Sequence, residues 1–369
     1  MNNSSIKSKN ILYITTSDLS KNVGGSVYSR SNIKILSEIF SVKVFSNTYF
    51  RYINNRLINK IISFLLYLVN KIPPHINYHS HKLLLNYNLL KRELNFKYDY
   101  IILENLQLFH LLKIIQQPVI YVSQNIESNL VEMRYPNLPH FVKNKLKKST
   151  KRLEYEFSRL SKGIISISIE ETYKYKKYNK NCITLPPTFP KKEDLKQTSS
   201  NDLKIFGFLG TRHWLPNIIA FNELFTNVIP KIRLKCKICI VGNGWNSLYQ
   251  NLNVPNNPNV TLEFLGYVES LSSFWTSIDA LLAPVSSGAG INIKVCESIA
   301  NNVKVIGFDN AFRGLPEDVK SLNYIVHNFS QFALYINEYR NYDIGNYTDY
   351  FNFNKNCELV RNWFIKNER

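Results

Sequence analysis

The stretch Ala283-Pro284-Val285-Ser286-Ser287-Gly288-Ala289-Gly290-Ile291-Asn292-Ile293-Lys294-Val295-Cys296-Glu297 passes from an apolar strand, through small residues, directly into an amphipathic helix. Small side chains let a diphosphate approach the backbone, and the N–H groups of a first helical turn can receive it. Ser287, Gly288, Ala289 and Gly290 form that loop, and Lys294 places a cation about one turn into the helix. Glu297, three residues on, shares its helix face and can accept hydrogen bonds from ribose hydroxyls. The alternative reading is a tight turn whose glycines serve only helix packing.

Outward from this stretch the same grammar recurs. Phe208-Leu209-Gly210-Thr211-Arg212-His213-Trp214-Leu215-Pro216-Asn217 is a strand, a glycine turn and a helix start near Pro216, with Arg212 where a fixed guanidinium fork can bind phosphate. Val241-Gly242-Asn243-Gly244 and Leu265-Gly266-Tyr267-Val268 are two further strand ends with glycine, at which a base can pack against Gly242, Tyr267 and Val268, or which can be turns and nothing more. Strands are expected at residues 204–209, 236–241, 261–265, 280–284 and 304–308, with helices at 216–229, 271–277, 291–300 and 332–340. The first half alternates similarly. Strands are expected at 11–15, 42–46, 100–104, 119–123, 164–169 and 182–185, with helices between them such as 28–40 and 143–160. Short β-branched runs alternating with helical patterns imply βαβ units and parallel sheets. Residues 186–202 read as a linker, and 350–366 as a terminal helix. The expected organisation is an N-terminal acceptor-side domain (1–190), a nucleotide-sugar domain (203–348) and a last segment (349–369) packing back towards the first domain. Two such doubly wound α/β domains place a ligand cleft between them, at the carboxyl ends of their strands.

The order F-x-G, W-x-P-N, I-V-G-x-G, G-Y-V and P-x-x-x-G-x-G-I-x-x-K-V-x-E, closed by Val305-Ile306-Gly307 and Arg313-Gly314-Leu315, resembles the C-terminal domain of the family-four (group 1) glycosyltransferases over roughly residues 203–316. Val23-Gly24-Gly25-Ser26 resembles the family's glycine loop, and Ser123-Gln124-Asn125-Ile126-Glu127 is similar to a His-Asn-x-Glu stretch in relatives. The resemblance implies a GT-B fold of two Rossmann-like domains facing a cleft. It implies transfer from a nucleotide diphosphate sugar to a hydroxyl, with retention at the anomeric carbon. It makes Glu297 the ribose carboxylate, and Arg212 and Lys294 the cations near the diphosphate. It makes Gly24 and Gly25 the loop beside the donor phosphate, and Gln124, Asn125 and Glu127 the acceptor-side candidates. Two positions depart from the family pattern. Ala289 stands where an acidic residue is frequent, and Gln124 where some relatives carry histidine, so no general base is assigned. The leaving diphosphate needs its developing charge stabilised, which Arg212, Lys294 and helix-start amides suit without a metal or cofactor. No Asp-x-Asp motif of the metal-using transferases occurs.

The 369 residues carry a net charge of +19. Residues 1–200 hold 31 Lys and Arg against 13 Asp and Glu, whereas residues 201–369 hold 15 against 14. A positive first half fits an anionic partner, namely a phospholipid surface, nucleic acid or a pyrophosphate-bearing substrate, or else a solvated basic surface. Within it, Arg56–Ile72 (RLINKIISFLLYLVNKI) is too short to span a bilayer, and reads either as an interfacial amphipathic helix or as one packed on the sheet. The five scattered cysteines and the polar residues 1–10 fit a cytoplasmic protein, one that can sit peripherally on the inner face of the plasma membrane. Cys236-x-x-Cys239 falls on an alternating strand with no second pair, which disfavours zinc. His75 and His79 follow two prolines and read as packing or surface residues. The expected role is extension of a surface polysaccharide or lipid-linked glycan, the acceptor. The alternatives are a sugar-nucleotide epimerase on the same fold and a nucleic-acid-binding or scaffold protein. No recognised nucleic-acid module is present, so a nucleic-acid partner is not expected.

Overall fold

The computed structural model describes residues 9–46, 56–77, 87–189, 203–212, 214–252, 256–288, 290–340 and 349–367. The expected positions Ala289 and His79, and residues 190–202 of the linker, lie outside them. The chain divides into two units, residues 1–188 with 353–369, and residues 189–352.

The first unit is a six-stranded sheet in the order β2-β1-β3-β4-β5-β6. Its strands are β1 (Asn10–Thr15), β2 (Ser41–Phe45), β3 (Tyr100–Glu104), β4 (Val119–Ser123), β5 (Gly163–Ser166) and β6 (Cys182–Thr184). Every pairing is parallel. β3 and β4 are buried along their whole length, which is why they read as unbroken apolar runs. β2, at the edge, alternates exposed and half-buried residues. The strand expected over 164–169 ends at Ser166, because Ser168 caps the next helix by accepting from Glu171 N (3.3 Å). The glycine loop expected after β1 is instead the first turn of the helix Gly24–Ile39.

This unit is completed from the far end of the sequence. In the helix Phe353–Asn367, the Phe364 ring packs edge-on against Phe40 (4.7 Å) and Tyr100 (5.2 Å). Trp363 lies so close to Gly163 that a Cβ there would sit 2.5 Å from its ring. Burying Phe364 alone removes enough apolar area to be worth about 2–3 kcal/mol.

The second unit is a parallel sheet in the order β12-β11-β10-β7-β8-β9. Its strands are β7 (Lys204–Leu209), β8 (Cys236–Val241), β9 (Val260–Gly266), β10 (Ala280–Ala283), β11 (Lys304–Phe308) and β12 (Tyr324–Val326). Written from β7, this is the 3-2-1-4-5-6 order of the Rossmann folds, with the strand order reversing between β7 and β10. Expected boundaries move, and one strand was not expected. The helix expected over 216–229 runs Leu215–Glu223 and then loosens into a π turn, Leu224–Val228. The helix expected over 291–300 begins at Ile293, after Asn292 in extended conformation. β12 has only three residues, too few to show a period in sequence.

Candidate active site

In the second unit the carboxyl ends of β7, β8, β9 and β10 carry the residues singled out from sequence. Three of their turns are laced together. Gly210 N donates to Val241 O (3.1 Å), and Gly242 N to Gly266 O (2.7 Å). Tyr267 N donates to Asn243 Oδ1 (2.9 Å). Below them Trp245, 1% exposed, stacks on Phe221 (4.6 Å) and donates through Nε1 to Gly210 O (3.0 Å). Gly242 has φ +128°, and a Cβ there would run into the Gly210 carbonyl. The glycine is therefore required by backbone conformation and by space alike.

Arg212 Nη1 donates to Gly244 O (3.1 Å) and Ser247 Oγ (2.9 Å), so its guanidinium spans the loops after β7 and β8 at an exposed position. Lys294, the second residue of its helix rather than a turn into it, returns across the switch point. Its Nζ donates to Leu209 O at the end of β7 (2.8 Å) and to Asn217 Oδ1 (2.9 Å), above the Phe208 ring. Glu297, one turn on, accepts from Trp275 Nε1 (3.1 Å). Gly288 (φ +142°) lies against Arg313, whose guanidinium would be 2.7 Å from a Cβ on it. The helix-start amides fit only in part what sequence suggested, since Val295 N and Cys296 N already donate to Asn292 O (3.0 and 3.1 Å). Ser287 and Gly290 lie in the same loop, Val268 just after β9, and Tyr267 is 59% exposed.

In the first unit Gln124, at the end of β4, is held in a buried polar cluster. Its Nε2 lies 2.9 Å from Glu104 Oε1, 3.1 Å from Ser29 Oγ and 3.2 Å from Gly25 O. Ser29 Oγ in turn donates to the other Glu104 oxygen (2.7 Å). A Cβ on Gly25 would lie 2.8 Å from Gln124 Oε1, so the second glycine makes room for this side chain. Gly24 opens the same helix. Burial raises the Glu104 pKa against the pull of its hydrogen-bond donors. Glu127 does not join this cluster. It is buried, receives Arg134 Nη2 (2.8 Å), and neighbours Glu154, which accepts from Ser128 N and Oγ. Asn125 contributes its backbone carbonyl to Ser123 Oγ (3.0 Å). The three acceptor-side candidates are thus divided between separate environments.

Residues 204–339 match the family described as "Glycosyl transferases group 1". That stretch, which lies in the second unit, is similar to the group 1 glycosyltransferases. The fold of the chain is that of solved relatives of low identity. HepE of Anabaena, solved in complex with UDP and glucose, is 11% identical, with a TM-score of 0.56 over 98% of this chain and 97% of that one. WaaG, a glycosyltransferase involved in lipopolysaccharide biosynthesis, is 11% identical, with a TM-score of 0.59 over 95% of each chain. TarM is 11% identical, with a TM-score of 0.56 over 96% of this chain and 98% of that one. At such identities the likeness shows the GT-B fold. No curated protein matches the chain by sequence.

Burial and the neighbouring Arg313 guanidinium pull the Lys294 pKa from its ordinary 10.5 down to about 8. Two opposite pH dependences follow. A diphosphate bound beside Lys294 would favour the ammonium form, so affinity for a nucleoside diphosphate held there is expected to be flat below pH 7 and to fall as pH rises through about 8. The slope approaches about tenfold per unit. The unliganded fold, by contrast, gains stability from this group between about 8 and 10.5, where the unfolded chain binds the extra proton. Calorimetric titration of UDP across pH 6.5–9.5 checks the first. An affinity that rises over that range would show that Lys294 does not meet the diphosphate.

Several residues that organise the site were not picked out individually from sequence. Asn217 stands in the W-x-P-N motif and Arg313 before Gly314, so both were visible as pattern without a role. Glu104 had a readable signal: a carboxylate closing an otherwise apolar, central strand must have partners. Cys236 and Cys239 are buried thiols whose pKa values are pushed up to about 12, and Cys239 Sγ donates to Glu263 Oε2 (3.3 Å). His75 is a buried packing residue, its ring edge-on to Tyr135 (5.8 Å). Among the described residues no group of three or more His, Cys, Asp or Glu gathers to hold a metal.

Proposed function

We propose that this protein moves a sugar from a nucleotide diphosphate sugar to a hydroxyl of a glycan or lipid-linked acceptor, without a metal and with retention, in cytoplasmic biosynthesis of a surface polysaccharide or lipid-linked glycan. The observation that carries the reading is Lys294. Leu209 O and Asn217 Oδ1 hold its ammonium at the β7/β10 switch point, where ligands of such sheets bind. With Arg212 on the neighbouring loops it supplies positive charge where a departing diphosphate develops negative charge. Glu297, steadied by the Trp275 indole, is the acceptor for the donor's ribose hydroxyls. Gly242, Tyr267 and Val268 offer backbone and ring to the base. Ser287, Gly288 and Gly290, small residues of the loop after β10, suit close approach of the phosphates. On the first unit, the family resemblance assigns Gly24 and Gly25 to the donor phosphate and Gln124 to the acceptor. The relative solved with UDP and glucose, and WaaG with its lipopolysaccharide role, support the donor class and the biosynthetic setting.

The test is a thermal-shift screen of UDP, GDP, ADP and their sugars, followed by an assay for transfer. A donor raises the melting temperature of the native protein. In Glu297→Ala that response is expected to weaken, with a loss of about 1–3 kcal/mol of donor affinity, the scale of a charge-assisted hydrogen bond. Undiminished affinity would remove Glu297 from the ribose. Conversion of a nucleotide sugar in the absence of any acceptor would instead support the epimerase reading.

A further inference from the structure

The helix Arg56–Asn70 is inverted relative to a surface helix that buries its apolar stripe. Asn59 and Ser63, one turn apart, are 3% and 2% exposed, and Ser63 Oγ donates to Asn59 O (2.7 Å). On the solvent side Ile61, Phe64, Leu65 and Leu68 recur at i, i+3, i+4 and i+7, each 50–55% exposed, and Val69 is 83% exposed. Single exposed apolar residues need no explanation, but a contiguous stripe over two turns marks an interaction surface. Lys60 and Lys71 are both exposed beside this stripe. Lys71 stops the helix in a left-handed conformation (φ 58°), with Nζ on Leu68 O (2.8 Å).

From this face we infer that the protein seats itself on an anionic lipid surface. Charge selects this occupant over a second copy of the chain. Residues 51–98 hold eight Lys and Arg against a single acidic residue, Glu93. Two copies meeting through the stripe would bring like charge together, whereas an anionic leaflet draws the basic residues in while the apolar side chains enter the acyl boundary. Length selects lying over crossing. Fifteen residues make a helix of about 22 Å, shorter than the ~30 Å hydrocarbon core. No described helix is long and apolar enough to cross a membrane.

The test compares native protein with the double variant Phe64→Glu, Leu68→Glu in sedimentation with vesicles of phosphatidylcholine alone and of phosphatidylcholine with phosphatidylglycerol. Native protein is expected to pellet at least about tenfold more with the anionic vesicles and to be released by high salt. The variant is expected to lose about tenfold or more of that binding. Equal pelleting with both vesicle types overturns the inference, as does a variant that pellets like the native chain. So does a native dimer, seen by light scattering, that the variant abolishes while neither binds vesicles. Both exposed positions lie outside the donor site, so the UDP thermal shift serves as an internal control. A variant that keeps the shift and loses the vesicles supports the inference. A native chain with no shift that still binds anionic vesicles defeats the transfer reading and leaves this one standing.

Discussion

Lys294→Met is expected to lower kcat/KM for the nucleotide sugar by about 10²–10³-fold, the cost of removing one preorganised charge from a developing oxyanion. Methionine keeps the apolar stem above Phe208 and removes the ammonium that now reaches Leu209 O and Asn217 Oδ1. The variant should fold, because the native ammonium is held there against the desolvation that depresses its pKa. Steady-state kinetics distinguish the possible roles. A fall in kcat with KM nearly unchanged means that the cation acts on the leaving group. A rise in KM alone means that it binds donor and transition state equally. Unchanged kinetics would reduce Lys294 to a strap between β7 and the helix after β10. The profile should also change shape, since the loss of activity above about pH 8 belongs to this group and is absent from the methionine variant.

Gly242→Ala is expected to destabilise the second unit by about 3 kcal/mol or more, beyond the range of ordinary surface substitutions. The residue has φ +128°, and its Cβ would meet the Gly210 carbonyl, a backbone atom that can retreat only by breaking its bond from Trp245 Nε1. Gly210→Ala is the matched control. Its Cβ would lie 2.9 Å from the Asn217 side chain, which can turn away, so the expected loss is smaller. Denaturant unfolding followed by tryptophan fluorescence reads both, since Trp245 packs beneath the two turns. Equal losses would mean that the lacing of the β7, β8 and β9 turns does not depend on Gly242. Neither outcome touches the assignment of Lys294.

The strand bounds of β3, β4, β7, β8 and β11 were legible to the residue because each is a short, mostly apolar run closed by a polar residue or a loop. What sequence could not supply was pairing across distance. Lys294 read as a cation beside a phosphate loop, but its ties to Leu209 and Asn217 reach back 85 and 77 positions. Glu104 meets Ser29 from 75 positions away, and no local pattern encodes that meeting. Gln124 and Glu127 looked like one motif because they are three residues apart. The turn after β4 sends the first into the Gly25 cluster and the second towards Arg134. The helix Arg56–Asn70 gives the converse lesson. Its apolar period was plain in sequence, but which way the period faces is a property of packing, and here it faces water.

The closing of the first unit by Phe353–Asn367 sets a timetable for synthesis. When residue 188 leaves the ribosome, the seam that Phe364 and Trp363 will fill is still open, and an entire second unit must be translated before its filler exists. At about 5–20 residues per second that interval is roughly ten to thirty seconds. Throughout it the nascent chain carries a bare apolar groove beside Phe40, Tyr100 and Gly163, while the second unit, continuous in sequence, is free to fold first.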